Sequence, residues 1–482
     1  MKREMMLVAT LLLMPLAALR AAEALATQTA LVTVHPEKPG VKIPADFLGF
    51  SFEKKMLSIE AFHPANVALL NLFTNLGGGV LRVGANEGDT TFWSRTELKP
   101  LSKQKNLGYS LKRLTIGPVS LDNLYAFAKR SGWRVIHGLN LGTVDPVMAA
   151  DESAYALQVG GPLVLALEIG NEPNLYRTKP PQVGLRPAKY NYDQYRKEYE
   201  SYCKEILSKL PRAPLAGPTT TRFCDWLPKF VKDFKDQTAL VTSHGYALSG
   251  SETNQQSVWF ASVENLMRPQ KDKEEVWLPK LEAAKAAGLP FRLDEYNTCT
   301  SGGRVGVSDV FASALWNLDF MLEIAAHGAA GVNVHGGFSA RPGYSPLSYR
   351  DNHYVANPIY YSMLMFHQAA QGQLVTVDCQ SAANFVAHAV QGDDHKLRVV
   401  LINKDLKQTV VASVVTGASH AKATVMRLCA PSATATGGVT LAGSAVAKDG
   451  TWTPQASEPV PCANGTCDVI LPAASAALLT IE

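Results

Sequence analysis

The sequence predicts an α/β protein, a (β/α)8 TIM barrel with a C-terminal β-sandwich domain that is completed by the N-terminal segment. From about Asp46 to Phe366, short apolar runs alternate with amphipathic stretches, the pattern of parallel strands covered by helices. After about Gln371 the texture changes to short Val/Thr/Ala-rich runs separated by turn residues, which reads as a sandwich. The length of 482 residues suits a barrel of about 250 residues or more with a smaller module attached. The expected division is a leader over 1–26, N-terminal strands of the sandwich over 27–45, the barrel over 46–366 and the sandwich over 367–482.

The leader comes first. Lys2 and Arg3 precede an apolar run from Met5 to Leu19, and Ala24-Leu25-Ala26 supplies a small-residue cleavage site, so cleavage is expected after Ala26 and the mature chain is expected to be secreted or periplasmic. The run is shorter than the ~20 residues that span a bilayer, and no later stretch is long and apolar enough, so no membrane association is expected once the leader is gone. Thr29–Val34 alternates like the C-terminal strands and is placed with them. The barrel strands are expected at Leu48–Phe52, Gly79–Val83, Arg134–Leu139, Leu163–Ile169, Leu215–Gly217, Leu240–Ser243, Phe291–Asp294 and Gly331–Val334. Helices are expected between them, among them Leu121–Arg130, Tyr192–Lys209 and Val310–His327, the last with apolar residues at helical spacing. In the sandwich, Leu397–Ile402, Thr409–Val415 and Ala423–Leu428 read as strands, and Ser432–Ala447 as exposed strands and turns.

Composition narrows the function. Hydrophobic residues make up 46% and charged residues 18%, a globular balance. A net charge of +4 without a Lys/Arg stripe argues against a nucleic-acid partner. The seven cysteines are sparse, and only Cys462 and Cys467, which bracket an Asn-Gly turn signal, suggest a cross-link between two hairpin strands. No Cys/His cluster has metal-ligand spacing, so neither a metal nor another cofactor is expected.

The chemistry sits at strand ends. Leu165–Ile169 is an apolar run that stops at Gly170-Asn171-Glu172-Pro173, and in a barrel the carboxyl ends of the strands form the active face. Glu168, inside the run, suits a structural pairing. Phe291-Arg292-Leu293-Asp294-Glu295 repeats the arrangement. Here Glu295 or Asp294 has a structural alternative, capping the next segment or pairing with Arg292. Two carboxylates from separate strand ends facing one pocket are what glycosidic hydrolysis requires: one protonates the departing oxygen while the other attacks the anomeric carbon.

The order of an Asn-Glu-Pro strand end, then Ser243-His244-Gly245-Tyr246, then the Glu295 strand resembles the clan of retaining barrel glycosidases whose acid/base and nucleophile follow strands four and seven. Within that clan the surroundings are similar to glycoside hydrolase family 79, the β-glucuronidases and heparanases. The matching stretches are Leu81-Arg82-Val83-Gly84, Gly138-Leu139-Asn140-Leu141-Gly142, the neighbours of Glu172, and Gly306-Val307-Ser308-Asp309 before a helix with Ala314-Leu315-Trp316. The resemblance implies Glu172 as acid/base, Glu295 as nucleophile, Asn171 on the sugar 2-hydroxyl and Tyr246 holding Glu295. It also implies that the Gly343 N–H and the Tyr344 hydroxyl bind a sugar carboxylate, with His335 lining that subsite. Ser51-Phe52-Glu53 ends the first strand, which makes Glu53 a candidate to receive a sugar hydroxyl. Arg304 and Arg341 are candidates for added positive charge. The implied partner is a glucuronic-acid-containing oligo- or polysaccharide. Two departures bear on the sugar: Gly84-Ala85-Asn86 stands where relatives commonly carry a double glycine, and Tyr296–Thr300 lacks a tyrosine near its end that some relatives use. A neutral-sugar glycosidase of the xylosidase or galactosidase type, with the same two glutamates, is the alternative enzyme, and a non-catalytic carbohydrate-binding protein the alternative class.

Overall fold

The computed structural model describes residues 27–96, 114–177, 185–339, 343–417, 422–455 and 457–482. The expected leader and Arg341 lie outside the described residues. Eight strands pair in parallel and close into a barrel: β1 (Gly49–Glu53), β2 (Gly79–Gly84), β3 (Trp133–Leu139), β4 (Val164–Ile169), β5 (Leu215–Thr220), β6 (Thr238–Leu248), β7 (Phe291–Cys299) and β8 (Gly331–His335), with β8 returning to β1. The fold class is the one the alternating pattern predicts.

Helices cover the outside, and two show their local chemistry plainly. Tyr192–Lys209 begins with a reciprocal cap: the Asn191 side chain accepts from the Gln194 N–H, and the Gln194 side chain accepts from the Asn191 N–H. Pro118–Ser131 carries proline in its first turn and ends on Gly132 at φ +74°, a left-handed cap that only glycine adopts without strain. Toward the amino ends of the strands, Phe50, Phe73 and Trp133 form an aromatic plug with centroids 4.6–5.3 Å apart. Truncating Trp133 there would cost about 3–5 kcal/mol.

Three strands run longer than expected. β6 was expected to stop at Ser243 and β7 at Asp294, where polar residues begin, and β5 at Gly217. In the structure the polar stretches stay in the sheet, with Glu295 opposite His244 and Asn297 opposite Tyr246, because nearly all these side chains are buried and paired with one another. Polar residues that satisfy each other inside a barrel mouth do not break a strand.

The C-terminal domain is one continuous sheet that curls over its own core rather than two separate sheets. Val32, Val399, Val410, Val425, Val469 and Leu479, from strands far apart in the hydrogen-bonded order, share a single apolar cluster. The N-terminal strand Thr27–Lys42 sits inside it, antiparallel to Gly372–Ser381 and parallel to Thr409–Val415. Cys462 and Cys467 form a disulfide beside the hairpin turn, where Asn464 and Gly465 both take positive φ. Ser432–Ala447, expected to be exposed, is partly anchored: the Ala433 and Ala435 carbonyls cap the first N–H groups of helix Phe311–Ala326, and Leu441 is fully buried. The same helix presents Asp319 to the sheet domain, where it accepts from Lys404 at 2.6 Å and His388 at 3.0 Å. Among the described residues no helix is long and apolar enough to cross a membrane.

Candidate active site

The carboxyl ends of β4 and β7 bring the two glutamates together. One carboxylate oxygen each from Glu172 and Glu295, with one ring nitrogen of His244, all lie within 4.8 Å of one another. These atom types can ligate a divalent ion, but here each is already engaged by protein groups, and a cation would compete with the Arg82 guanidinium for Glu295. Two carboxyl groups this close match the separation of about 5–5.5 Å used for attack by one and proton transfer by the other.

Their surroundings differ. The Glu295 carboxyl accepts from the Tyr246 hydroxyl at 2.7 Å and from Arg82 Nη1 at 2.7 Å, with His335 Nδ1 and His244 Nδ1 each 3.6 Å away. Burial works to raise its pKa, but the positive and donor groups around it prevail and hold the carboxyl well below the usual range. Burial makes His335 itself a weaker base. The Tyr246 phenol is itself driven well above its ordinary pKa by burial and by Glu295, so it remains a donor.

Glu172 has one close side-chain partner, His244 Nδ1 at 2.9 Å, and its side chain is 15% exposed against 6% for Glu295. Its backbone is left-handed, φ +45°, one residue after Asn171 and two after Gly170 at φ +84°. A non-glycine residue there stores about 1–3 kcal/mol of strain, and here the Glu172 N–H is pinned to the Thr219 carbonyl at 2.9 Å. The turn thus lifts the Glu172 side chain off the strand and out into the mouth. Asn171 is held at both ends of its amide, accepting from Arg82 Nη2 at 2.8 Å and donating to Asn86 Oδ1 at 3.0 Å. Asn86 follows Ala85, which takes φ +53°.

The remaining expected residues fall around the same mouth. Tyr344 lies with its ring 6.0 Å from that of Tyr246 and 5.7 Å from that of His335. Asn297 fastens this loop to β7 by donating to the carbonyls of His335 and Tyr344, both at 2.8 Å, and Gly343 follows the same loop. Glu53 ends β1, where one carboxylate oxygen accepts from the Glu87 N–H at 2.8 Å and the other is buried without a protein partner. Burial and the neighbouring Glu87 push the Glu53 carboxyl up to about 8. The Arg304 guanidinium lies over the Phe260 ring at 4.4 Å.

Sequence reasoning gave no role to the centre of this network. Arg82, fully buried on β2, also donates to Glu168 at 2.7 Å and Ser51 at 3.1 Å. Glu168 therefore makes the structural pairing expected of it. Arg292 does not pair with Asp294 or Glu295; it donates to Asn333 and to the backbone carbonyls of Asp46, Phe47 and Leu48. The signal for Arg82 was present as an arginine in an otherwise apolar strand, which needs a buried acidic partner. Arg222, after β5, was also missed: it donates to the Tyr246 and Leu248 carbonyls and lies between Phe223 and Trp259, forming an aromatic rim beside β6.

Residues 387–478 match the glycosyl hydrolase family 79 C-terminal β domain. The chain carries a family 79 β domain. Two curated relatives extend the likeness into the barrel. A β-glucuronidase of Aspergillus niger is 24% identical over 342 residues, 63% of this chain and 60% of the relative. A β-glucuronidase of Neurospora crassa is 27% identical over 316 residues, 56% of this chain and 53% of the relative. The chain thus matches somewhat over half the length of each. Among solved structures, a 4-O-α-L-rhamnosyl-β-D-glucuronidase from Fusarium oxysporum aligns over 95% of this chain and all of its own with a TM-score of 0.75 at 18% identity. A family 51 arabinofuranosidase from Xanthomonas axonopodis aligns over 94% of this chain and all of its own, with a TM-score of 0.67 at 13% identity. At these identities the structural matches establish the fold, a barrel with an attached β domain, while the likeness to family 79 rests on the β domain and the two sequence relatives.

Proposed function

We propose that this family 79 protein is a retaining glycoside hydrolase that releases β-linked glucuronic acid by double displacement. The observation that carries the reading is the unequal pair, Glu172 and Glu295, held close together in one mouth with only Glu295 locked onto a cation and a phenol. Glu295 attacks the anomeric carbon as the carboxylate, forming a glycosyl ester, while Glu172 gives its proton to the departing oxygen. Glu172 then takes a proton from water, which displaces Glu295 from the sugar. His244 fixes the Glu172 carboxyl during both steps. Asn171, clamped by Arg82 and Asn86, offers its amide to the sugar 2-hydroxyl, a contact that strengthens in the transition state.

The uronic acid preference is supported by the loop after β8 and by Glu53. The Gly343 N–H and the Tyr344 hydroxyl are neutral donors for a carboxylate, with His335 beside them. Below about pH 8 the Glu53 carboxyl is neutral, so it does not repel the charge of a uronate. Export belongs to the same reading, supported by the leader pattern and by a disulfide of the kind that persists in oxidising compartments.

The test is hydrolysis of matched nitrophenyl β-glucuronide, β-glucoside, β-xyloside and β-galactoside by the mature chain. The glucuronide should be preferred by at least about a hundredfold in kcat/KM, the scale on which a site built for a polar group rejects analogues that lack it. Preference for a neutral glycoside would discard the carboxylate subsite and keep the two glutamates. Binding of glucuronides without turnover would overturn the enzyme reading itself.

A further inference from the structure

Beneath the glutamates lies a second pair of acids that the double displacement does not use. Glu168 of β4 and Asp294 of β7 are fully buried and crowd the same nitrogen: Arg82 Nε donates to Glu168 Oε2 at 2.7 Å and lies 3.1 Å from Asp294 Oδ2. Each carboxyl leaves its other oxygen, Glu168 Oε1 and Asp294 Oδ1, buried with no hydrogen-bond partner among the described residues. The same guanidinium holds Glu295 through Nη1, so three carboxylates share one positive charge.

Among the described residues no other fixed cation relieves the crowding. His244 Nε2 is 3.9 Å from Asp294 Oδ2, and Thr219 adds a neutral hydroxyl at 3.4 Å. Arg292, two residues earlier on β7, is spent on Asn333 and backbone carbonyls. Lys280, which reaches in from helix Leu278–Ala286, donates to Ser243 and the Thr221 carbonyl instead, and burial lowers its pKa to about 7. Tyr199, from helix Tyr192–Lys209, donates to the Ala216 carbonyl.

We propose that Glu168 and Asp294 hold one proton between them and act as a positioning pair that sets how firmly Arg82 grips the nucleophile. Two carboxylates converging on one donor in a dry interior lose their protons in two widely separated steps. The direction follows from the contacts: Arg82 holds Glu168 down, while burial and the Glu168 charge drive Asp294 well up, so the proton resides on Asp294. With both acids ionised, Arg82 would face three anions and Glu295 would resist ionisation. With both protonated, the whole cation would fall on Glu295 and dull its attack. One shared proton leaves Glu295 ionised and still reactive.

The inference rests on the proposed role of Glu295, but its first test does not need turnover. Infrared difference spectra of the mature wild-type chain at about pH 7 should show, besides the Glu53 carboxyl, the carbonyl stretch of a second buried protonated carboxyl, lost in Asp294→Asn and displaced by labelling aspartate but not glutamate with carbon-13. Absence of that band in folded wild-type protein would overturn the proposal. The second test is the acidic limb of kcat/KM. Asp294→Asn replaces the protonated member with a neutral isostere and should leave that limb within about 0.3 pH unit. The double variant Glu168→Gln/Asp294→Asn removes the pair's one charge and should move the limb down by about one unit and lower kcat about tenfold. If Asp294→Asn alone moved the limb by a full unit, both acids are charged in the wild type and the idea is wrong. If the double variant does not fold, the infrared band decides alone. A wild type that shows the band but cleaves no glucuronide would remove the proposed function and leave the shared proton standing.

Discussion

The ends of β4 and β7 look alike in sequence, each an apolar run that stops at a glutamate, yet the structure gives them opposite settings. At β7, Glu295 lies inside a continuing strand, almost wholly buried, gripped by Arg82 and Tyr246 and held in its charged form. At β4 the strand has already ended, a left-handed turn lifts Glu172 into the mouth, and its one close side-chain partner is a histidine. A nucleophile must stay ionised and aimed, whereas an acid/base must exchange its proton with substrate and water. Under the proposed double displacement, the difference between a residue within the sheet and a residue just beyond it divides the two roles. Position relative to the last strand hydrogen bond, rather than residue type, separates the two settings.

The sharpest way to break that comparison is to remove each glutamate and ask which face of the sugar a small anion attacks. Glu295→Gln should cut kcat by about ten-thousand-fold or more, the scale for losing a covalent nucleophile. In Glu295→Ala, azide should enter the vacated space and yield the α-glycosyl azide. Glu172→Gln should lose about a hundred- to ten-thousand-fold, least with nitrophenyl leaving groups that need little protonation. Glu172→Ala with azide should give the β-glycosyl azide, because the ester on Glu295 still forms and azide replaces the activated water. Product stereochemistry read by NMR decides the matter: an α product from the Glu172 variant and a β product from the Glu295 variant would exchange the roles.

How much of this was legible beforehand follows from which interactions are local. The barrel could be read because apolar runs and covering helices announce themselves within a dozen residues, and the Cys462–Cys467 bridge because its turn lies between the two cysteines. Both glutamates were visible as acids at the ends of apolar runs. The lengths of β6 and β7 were not, since Ser243–Tyr246 and Glu295–Cys299 look like loop until their polar side chains find partners across the barrel. Arg82 was hidden for the same reason: its partners lie 31 to 213 residues away in the chain, and only closure of the barrel brings them to one point. Asp319 with Lys404 and His388 repeats the lesson at the junction with the β domain.

The finest test of the contrast between the two strand ends is the single hydroxyl that distinguishes them. Tyr246→Phe removes the phenol that donates to Glu295 and leaves the ring that packs beside Tyr344. That hydrogen bond favours the anion, so its loss raises the Glu295 pKa from its depressed value. The acidic limb of kcat/KM, which reports the group that must be unprotonated in the free enzyme, should therefore move to higher pH. A hydrogen bond to a charged group is worth about 1.5–3 kcal/mol, which corresponds to about one to two pH units and a ten- to hundredfold loss of rate, greatest at low pH. The basic limb, which reports the acid/base, should move much less, because Tyr246 makes no hydrogen bond to Glu172. Measuring both limbs between about pH 3 and pH 9 on the glucuronide separates the two carboxyls. Equal movement of both limbs would mean that Tyr246 serves the pair as a unit, and the division of roles between the strand ends would have to be drawn from His244 instead.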